Sequence, residues 1–284
     1  MSMAGAVDIS VITPSFNMLG YLKRCCASVA DQGGPSHEHI VVDGMSTDGT
    51  IEWLKKKEGI RCLVEPDNGM YDAVNKGLDL SRGAVVSYLN CDEQYLPGTL
   101  AFVSDFFQDN PDVDILFGDF LVVRPDGSLL AYRKAIPPRW FYFCTAHLYL
   151  FTCTMFFRRR ILDGGMRFNS AYKAVADEEF VVQALRNGHK AKYVRRYMAA
   201  FTFTGENRSQ TVAALEERRL MRRSVPLWVT SLQYPLAISR YAEKVLHGAY
   251  NEKMPFEYFL YSDTEPLTRK RFHVESATWK WPGK

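Results

Sequence analysis

Apolar and polar positions alternate in blocks along the first hundred residues. Asp8-Ile9-Ser10-Val11-Ile12-Thr13 is rich in β-branched residues and runs into Pro14, which reads as a strand and its end. Leu19, Leu22, Cys25, Cys26 and Val29 recur at the spacing of one helix face, predicting a helix over 19–30. His39 to Asp43 predicts a second strand and 50–57 a second helix. Ile60 to Val64 predicts a third strand, 70–81 a third helix, and Ala84 to Leu89 a fourth strand. This strand–helix period implies an α/β fold around a parallel sheet.

Further along, 97–109 reads as helix and 113–118 as extended chain. Pro125-Asp126-Gly127 marks a hairpin turn. A strand is expected over 153–158, a helix over 177–188 ending at Gly188, and a last strand over 192–203. After about residue 212 the chain becomes rich in Arg, Tyr and Trp; it is expected to be helical to about 248 and irregular beyond.

Composition narrows the class. The 284 residues are 47% hydrophobic and 13% aromatic, enough for one large domain, alone or with an appendage. A net charge of +3 gives no reason to expect nucleic acid as a partner. The six cysteines form no C-x-x-C pair, so neither a zinc site nor a disulfide framework is indicated, and most are expected to be buried thiols. The first residues lack the basic start and apolar core of a secretory leader, and no apolar run of about 18 residues occurs. The expectation is a soluble, cytoplasmic protein.

The polar clusters then become informative. In open α/β sheets, ligands bind beyond the carboxyl ends of the strands. Thr13-Pro14-Ser15-Phe16-Asn17 follows strand one, Asp43 to Thr50 strand two, Glu65-Pro66-Asp67-Asn68-Gly69 strand three, and Asn90-Cys91-Asp92 strand four. One such cluster is usually a turn with a helix cap; four in succession point to a ligand edge. Ser46 or Asp48 also suits a cap of the second helix, with Asp48 the better fit. Asp43 closes an apolar strand, where a carboxylate needs a partner; a base N–H or a ribose hydroxyl would serve. Asp67 reads equally as a turn residue, and Lys76 as a solvated helix charge. Neither a Walker-type loop nor G-x-G-x-x-G is present.

Two acidic elements complete the chemistry. Leu89-Asn90-Cys91-Asp92-Glu93 would hold a divalent ion at a strand end. Ala176-Asp177-Glu178-Glu179-Phe180 opens a helix and would offer a carboxylate base, although acidic residues in a first turn also simply favour the helix dipole.

The strings Val42 to Thr50, Glu65 to Gly77 and Leu89 to Asp92 resemble the GT-A family 2 glycosyltransferases, in particular bacterial enzymes that build capsule, O-antigen and exopolysaccharide. The resemblance spans about residues 8–205. It implies a GT-A fold, with a mostly parallel central sheet flanked by helices and a C-terminal helical extension. The implied domains are a catalytic 1–211, with a nucleotide-sugar half near 8–95 and an acceptor half near 96–211, and an extension 212–284. Pro14, Ser15, Asn17 and Asp43 would hold the nucleoside, Asp67 and Lys76 would lie near it, and Lys76 would reach a phosphate. Asn90 and Asp92 match the family's aspartate-x-aspartate motif. Asp92 would bind Mg²⁺ or Mn²⁺, Asn90 would contribute weakly or indirectly, and Glu93 would stand behind them. Asp177 matches the base, with Glu178 one register away.

The resemblance implies inverting, metal-dependent transfer from a nucleotide-diphosphate sugar, UDP above all, to a glycan or lipid-linked glycan of the cell envelope. The alternatives are a nucleotide-sugar-binding subunit without turnover and a sugar nucleotidyltransferase; the latter is disfavoured by the absence of a glycine-rich basic loop after strand one.

Thr152 to Arg159 resembles the family's acceptor-side strand, with Cys153 and Thr154 where a histidine or small polar residue is common. His147 lies nearby, and Phe203 to Ser209, with Arg208, resembles a loop closing over the site. In the tail, Arg218, Arg219, Arg222 and Arg223 precede Trp228, Leu232, Tyr234, Leu236, Ile238 and Tyr241. Such a mixture suits peripheral contact with an anionic membrane at the inner face of the cytoplasmic membrane, or packing on the catalytic domain or on a second subunit of a homodimer. Pro226 and Pro235 count against one continuous helix.

Overall fold

The computed structural model describes residues 7–145, 149–205, 211–265 and 268–282. His147 and Arg208 lie outside the described residues.

The opening half follows the expected alternation: β1 (Ile9–Ser15), α1 (Leu19–Ala30), β2 (His37–Asp43), α2 (Thr50–Lys56), β3 (Ile60–Val64), α3 (Met70–Leu80) and β4 (Val85–Tyr88). All pairings within this half are parallel, in the order β3-β2-β1-β4. β1 runs two residues past the expected end, through Pro14 and Ser15. Ser15 O accepts from Gly44 N on the β2 side, so alternation turns the Pro14 nitrogen toward β4. β4 has already ended there, at Ile12↔Tyr88, and the missing N–H breaks no pair.

The second half contributes β5 (Glu93–Tyr95), α4 (Thr99–Asp109), β6 (Ile115–Val123), β7 (Leu129–Arg133), α5 (Trp140–Thr145), β8 (Phe156–Arg158), α6 (Arg160–Asp163), α7 (Ala176–Arg186) and β9 (Ala191–Thr202). The sheet continues β4-β8-β6-β9-β5, with β7 hairpinned onto β6 across the Pro125-Asp126-Gly127 turn. Every antiparallel pair of this sheet includes at least one of these later strands. Helices cover both faces, as the GT-A expectation requires. α3, α5 and α7 bury Val74, Leu78, Phe143 and Phe180 on one face, with Ile12, Val86 and Phe157. α1 and α4 bury Cys25, Val29, Val103 and Phe107 on the other, with Val11, Val85 and Phe156. Gly77 sits where α3 crosses β1, and a Cβ there would come within 2.3 Å of Ile12 Cγ2, so close packing explains that member of the motif.

Two expectations change. The segment 153–158 splits into a 3₁₀ turn, Thr152–Thr154, and the short β8. Cys153 and Thr154 are buried, and the Thr154 hydroxyl donates to Gly118 O at 3.1 Å, so neither residue is turned to an acceptor. The tail is helical as expected: α8 (Val212–Arg223), α9 (Leu227–Ser231) and α10 (Gln233–Leu246). Its breaks follow the prolines, with Pro226 the N-cap of α9 and Pro235 in the first turn of α10. Beyond 248, however, the chain is not irregular. β10 (Phe256–Leu260) and β11 (Lys270–Val274) pair antiparallel, and Tyr258, Leu260 and Val274 pack with Leu121, Tyr132 and Ala200 of the main sheet. The alternation of Phe256, Tyr258 and Leu260 carried that signal.

Candidate active site

The parallel register places Ser15, Asp43 and Val64 side by side at one edge of the sheet. The loops beyond them are sewn together by side chains. The fully buried Asp43 carboxylate accepts Ser46 N at 2.8 Å and Ser46 Oγ at 2.7 Å. Its own loop therefore supplies a partner for the buried carboxylate. Ser46 Oγ in turn accepts Asn17 N at 2.7 Å, and Asn17 Oδ1 accepts Thr47 N at 2.7 Å. Asn17 holds φ 51°, a left-handed conformation that asparagine tolerates better than most residues. Asp48 accepts the Leu19 N–H at 2.9 Å and the Thr50 N–H at 3.2 Å, so one carboxylate serves the first turns of both α1 and α2.

Asp67 joins this edge by lying over Gly44. A Cβ at Gly44 would meet Asp67 Oδ2 at 2.5 Å, so a side chain there would push the Asp67 carboxylate aside, and Asp67 Oδ1 accepts Gly69 N at 2.8 Å to close its own turn. Lys76 is held by Glu65 at 2.8 Å, Asp72 at 3.5 Å and the Pro66 carbonyl at 2.7 Å. Glu65 holds its ammonium above the ordinary lysine range. Lys76 thus braces the Asp67 loop, and its charge is already balanced without a phosphate. Ser15 Oγ is buried and has no hydrogen-bond partner among the described residues. Phe16 and Met45 stand exposed beside Ser15 and Asp43, at 60% and 48%.

The two acidic elements meet at the same edge. Asn90 to Glu93 forms a reciprocal turn in which Asn90 N donates to Glu93 Oε2 at 2.8 Å and Glu93 N to Asn90 O at 2.9 Å. Thr202 N donates to the Asp92 carbonyl at 3.2 Å, pinning the turn to β9. Burial, then the Asp92 charge, raise the Glu93 carboxyl well above the glutamate range. Asp177 lies in the first turn of α7, where Glu178 N donates to its Oδ1 at 2.8 Å. Burial first, and the Glu178 charge second, push the Asp177 carboxyl up to about 7, against a hydrogen bond from Tyr71 that favours the anion. The Asp177 charge also acts on Tyr71, Tyr88 and Glu93, so α7, α3, the end of β4 and the Asn90–Glu93 turn converge on one spot. Phe168 stacks on Phe180 and meets Tyr88 edge-on at 5.3 Å, walling this spot with aromatic rings.

Among the described residues, no three His, Cys, Asp or Glu side chains gather as a metal cage. What fits a hard cation is smaller: the Asp92 carboxylate and, two residues before it, Asn90 Oδ1, which is buried without a partner among the described residues. Mg²⁺ and Mn²⁺ accept such oxygen donors and take further ligands from substrate phosphates and water.

The sequence model for glycosyl transferase family 2 matches residues 10–180. The chain belongs to that family. A PGL/p-HBAD biosynthesis glycosyltransferase of Mycobacterium bovis is 29% identical over 203 residues, covering 66% of this chain and 73% of that one. The structure of S. aureus TarS 1–349 in complex with UDP-GlcNAc aligns with a TM-score of 0.62 at 17% identity, over 95% of this chain and all of that one. A mannosyltransferase from Pyrobaculum calidifontis, in complex with GDP-Man and Mn²⁺, aligns at TM-score 0.55 and 17% identity over 86% and 76%. The protein is thus a glycosyltransferase with a GT-A fold, and the nucleotidyltransferase alternative falls away.

For a family 2 enzyme, the sequence brought Ser15, Asn17, Asp43, Asp67, Asn90, Asp92 and Asp177 to one edge, and Pro14 with them as the last turn of backbone before Ser15. It missed three contributors. Phe16 was inside a quoted string, and only its exposure distinguishes it. Asn75 exchanges hydrogen bonds of 2.7 and 3.0 Å with Phe168 O and N, docking the segment before α7 onto α3. The third is the contact of α8 with α7, which no local pattern announces.

Proposed function

We propose that this glycosyltransferase moves a sugar, with inversion, from a nucleotide-diphosphate donor to a hydroxyl of a bacterial surface glycan, with UDP as the nucleotide. The observation that carries the reading is the Asp177 carboxyl, raised to about 7 and adjoining the Asn90–Glu93 turn. An acceptor hydroxyl becomes a useful nucleophile when a carboxylate takes its proton, and a base titrating near neutrality suits that task. Asp177 would take the proton and direct the hydroxyl to the anomeric carbon on the face opposite the diphosphate. Ser15, Asn17, Asp43 and Asp67 would frame the nucleoside, Lys76 steadying that loop, while the exposed Phe16 ring offers the base an apolar face. Asp92, helped by Asn90, would hold Mg²⁺ or Mn²⁺. A divalent ion there supplies charge neutralisation to the departing diphosphate. In this division 8–95 serves the donor, 96–211 the acceptor, and 212–284 is a supporting extension.

UDP is favoured by the TarS neighbour with UDP-GlcNAc, and the neighbour with GDP-Man makes GDP the rival. A thermal-shift panel of UDP, GDP, CDP and dTDP with their sugars, with and without Mn²⁺, tests this. A ligand at about 100 times its Kd adds roughly 2.7 kcal/mol to the folded state. A shift confined to UDP compounds and enlarged by Mn²⁺ is expected; a shift only with GDP compounds overturns the donor, and none at all overturns the donor site.

The proposal extends to a lipid-linked acceptor reached at the anionic, cytoplasmic face of a membrane. α10 buries none of its residues, and Tyr234, Ile238, Tyr241 and Val245 all face solvent. Its one acid, Glu243, turns inward to Arg139 at 2.9 Å and Tyr142 at 3.0 Å, leaving the outer face apolar. The exposed Arg219 and Arg223 of α8 add positive charge suited to anionic lipid. No described helix is long and apolar enough to cross a membrane. Co-sedimentation with phosphatidylglycerol vesicles, absent with phosphatidylcholine vesicles and lost in Ile238→Glu/Tyr241→Glu, is expected. A dimer broken by those changes, with no vesicle binding, would make the face a subunit contact instead.

A further inference from the structure

The chain before α7 has no cap of its own. Lys173-Ala174-Val175 offers no short polar side chain, and the N-cap residue Val175 makes no side-chain hydrogen bond. An acceptor for the backbone N–H groups leading into the helix comes from α8. Glu217, buried, accepts Lys173 N at 2.6 Å through one oxygen, and Ala174 N at 2.9 Å and Val175 N at 3.1 Å through the other. The next residue, Arg218, sets its Nε 3.1 Å from both carboxylate oxygens of Glu178, and this pair is buried as well. Two consecutive residues of α8 therefore grip the backbone just before Asp177 and the side chain just after it.

We propose that Glu217 and Arg218 are positioning residues for Asp177, so that the C-terminal extension is part of the frame holding the catalytic base. The inference rests on the reading of Asp177 as that base. The physical reason is twofold. Glu217 ties down the three backbone N–H groups that lead into the helix, so the turn carrying the carboxylate is anchored from its N-terminal side. The fork from Arg218 fixes Glu178 facing away from the reaction and offsets a negative charge adjacent to the base. A small displacement of a base costs rate while leaving donor contacts at the strand ends untouched.

The groups facing Asp177 are Tyr71 from α3, Tyr88 from β4, Glu93 from the β4–β5 turn, Glu178 on α7 and Arg218 on α8. Arg218 is the cation among them, so its loss raises the pH at which the base ionises.

The test measures kcat, donor KM and the pH profile of the full chain as Glu217→Gln, Arg218→Gln and Arg218→Lys, with UDP thermal shifts and melting curves alongside. Expected are a kcat lowered about 10- to 100-fold with donor KM and UDP shift close to wild type, and an acid limb moved to higher pH in Arg218→Gln. Arg218→Lys should recover part of both. If Arg218→Gln does not fold, Glu217→Gln and Arg218→Lys carry the test. Folded variants with wild-type kcat and an unmoved acid limb overturn the proposal, as does a loss of rate that only tracks the fraction folded. Asp177→Asn separates the two readings: if it transfers sugar normally, the base assignment fails; if it is inactive while the α8 variants behave as wild type, only the positioning role fails.

Discussion

Asp177→Asn is expected to reduce kcat by about 10²- to 10⁴-fold, the usual contribution of a positioned general base, while nucleotide-sugar binding persists. The substitution is a narrow one. Asparagine keeps an oxygen where Asp177 Oδ1 accepts the Glu178 N–H at 2.8 Å, so the first turn of α7 is preserved. What it loses is the ability to take a proton. The pH dependence follows from the same carboxyl. Burial disfavours the charged form, so the group titrates near 7 rather than in the ordinary aspartate range. Only the deprotonated form is a base, so kcat/KM should rise with pH up to about 7 and level off above it, falling about tenfold per unit on the acid side. Asp177→Asn should remove that limb together with the activity. A variant that transfers sugar at the wild-type rate, or a wild-type profile flat from pH 5 to 8, would rule out Asp177 as the base. Steady-state transfer assays across pH, with donor binding followed by calorimetry, provide both readouts.

Asp92→Ala is expected to abolish metal-stimulated transfer, a loss of about 10²- to 10³-fold if the ion supplies several kcal/mol to the departing diphosphate. The backbone tie of this turn to β9, in which the Asp92 carbonyl accepts Thr202 N at 3.2 Å, is unchanged in alanine. Removing a negative charge beside buried Glu93 also relieves the repulsion that raises the Glu93 carboxyl. Chelation of the wild-type enzyme should reproduce the loss and added Mn²⁺ should reverse it, whereas the variant should respond to neither. Full metal stimulation in Asp92→Ala would overturn the ligand assignment and transfer attention to Asn90 and Glu93.

The strand-end logic carried most of the donor edge because it depends on local facts. A strand of β-branched residues, a polar turn and an amphipathic helix can each be read within about a dozen positions. What it could not supply is a polar group's partner within the fold: Ser46 bonds both oxygens of Asp43, and Glu65 and Asp72 hold Lys76. The three-residue β5 was invisible because Glu93-Gln94-Tyr95 is too short to display alternation and is a strand only by pairing with Ala199 to Phe201 of β9. The β10–β11 hairpin displayed its alternation in Phe256, Tyr258 and Leu260, but its meaning depends on the sheet surface it covers.

From the sequence alone follow the α/β alternation, the family, and the candidacy of the acids Asp92 and Asp177, since residue type and strand-end position are properties of short segments. Tertiary structure alone decided that Asp177 lies buried against the Asn90–Glu93 turn, that burial makes it hard to ionise, and that Glu217 and Arg218 reach back to hold the chain on either side of it. The reason is physical. A carboxylate's proton affinity is set by the water removed from it and the charges brought near it, and both are contributed by elements far away along the chain.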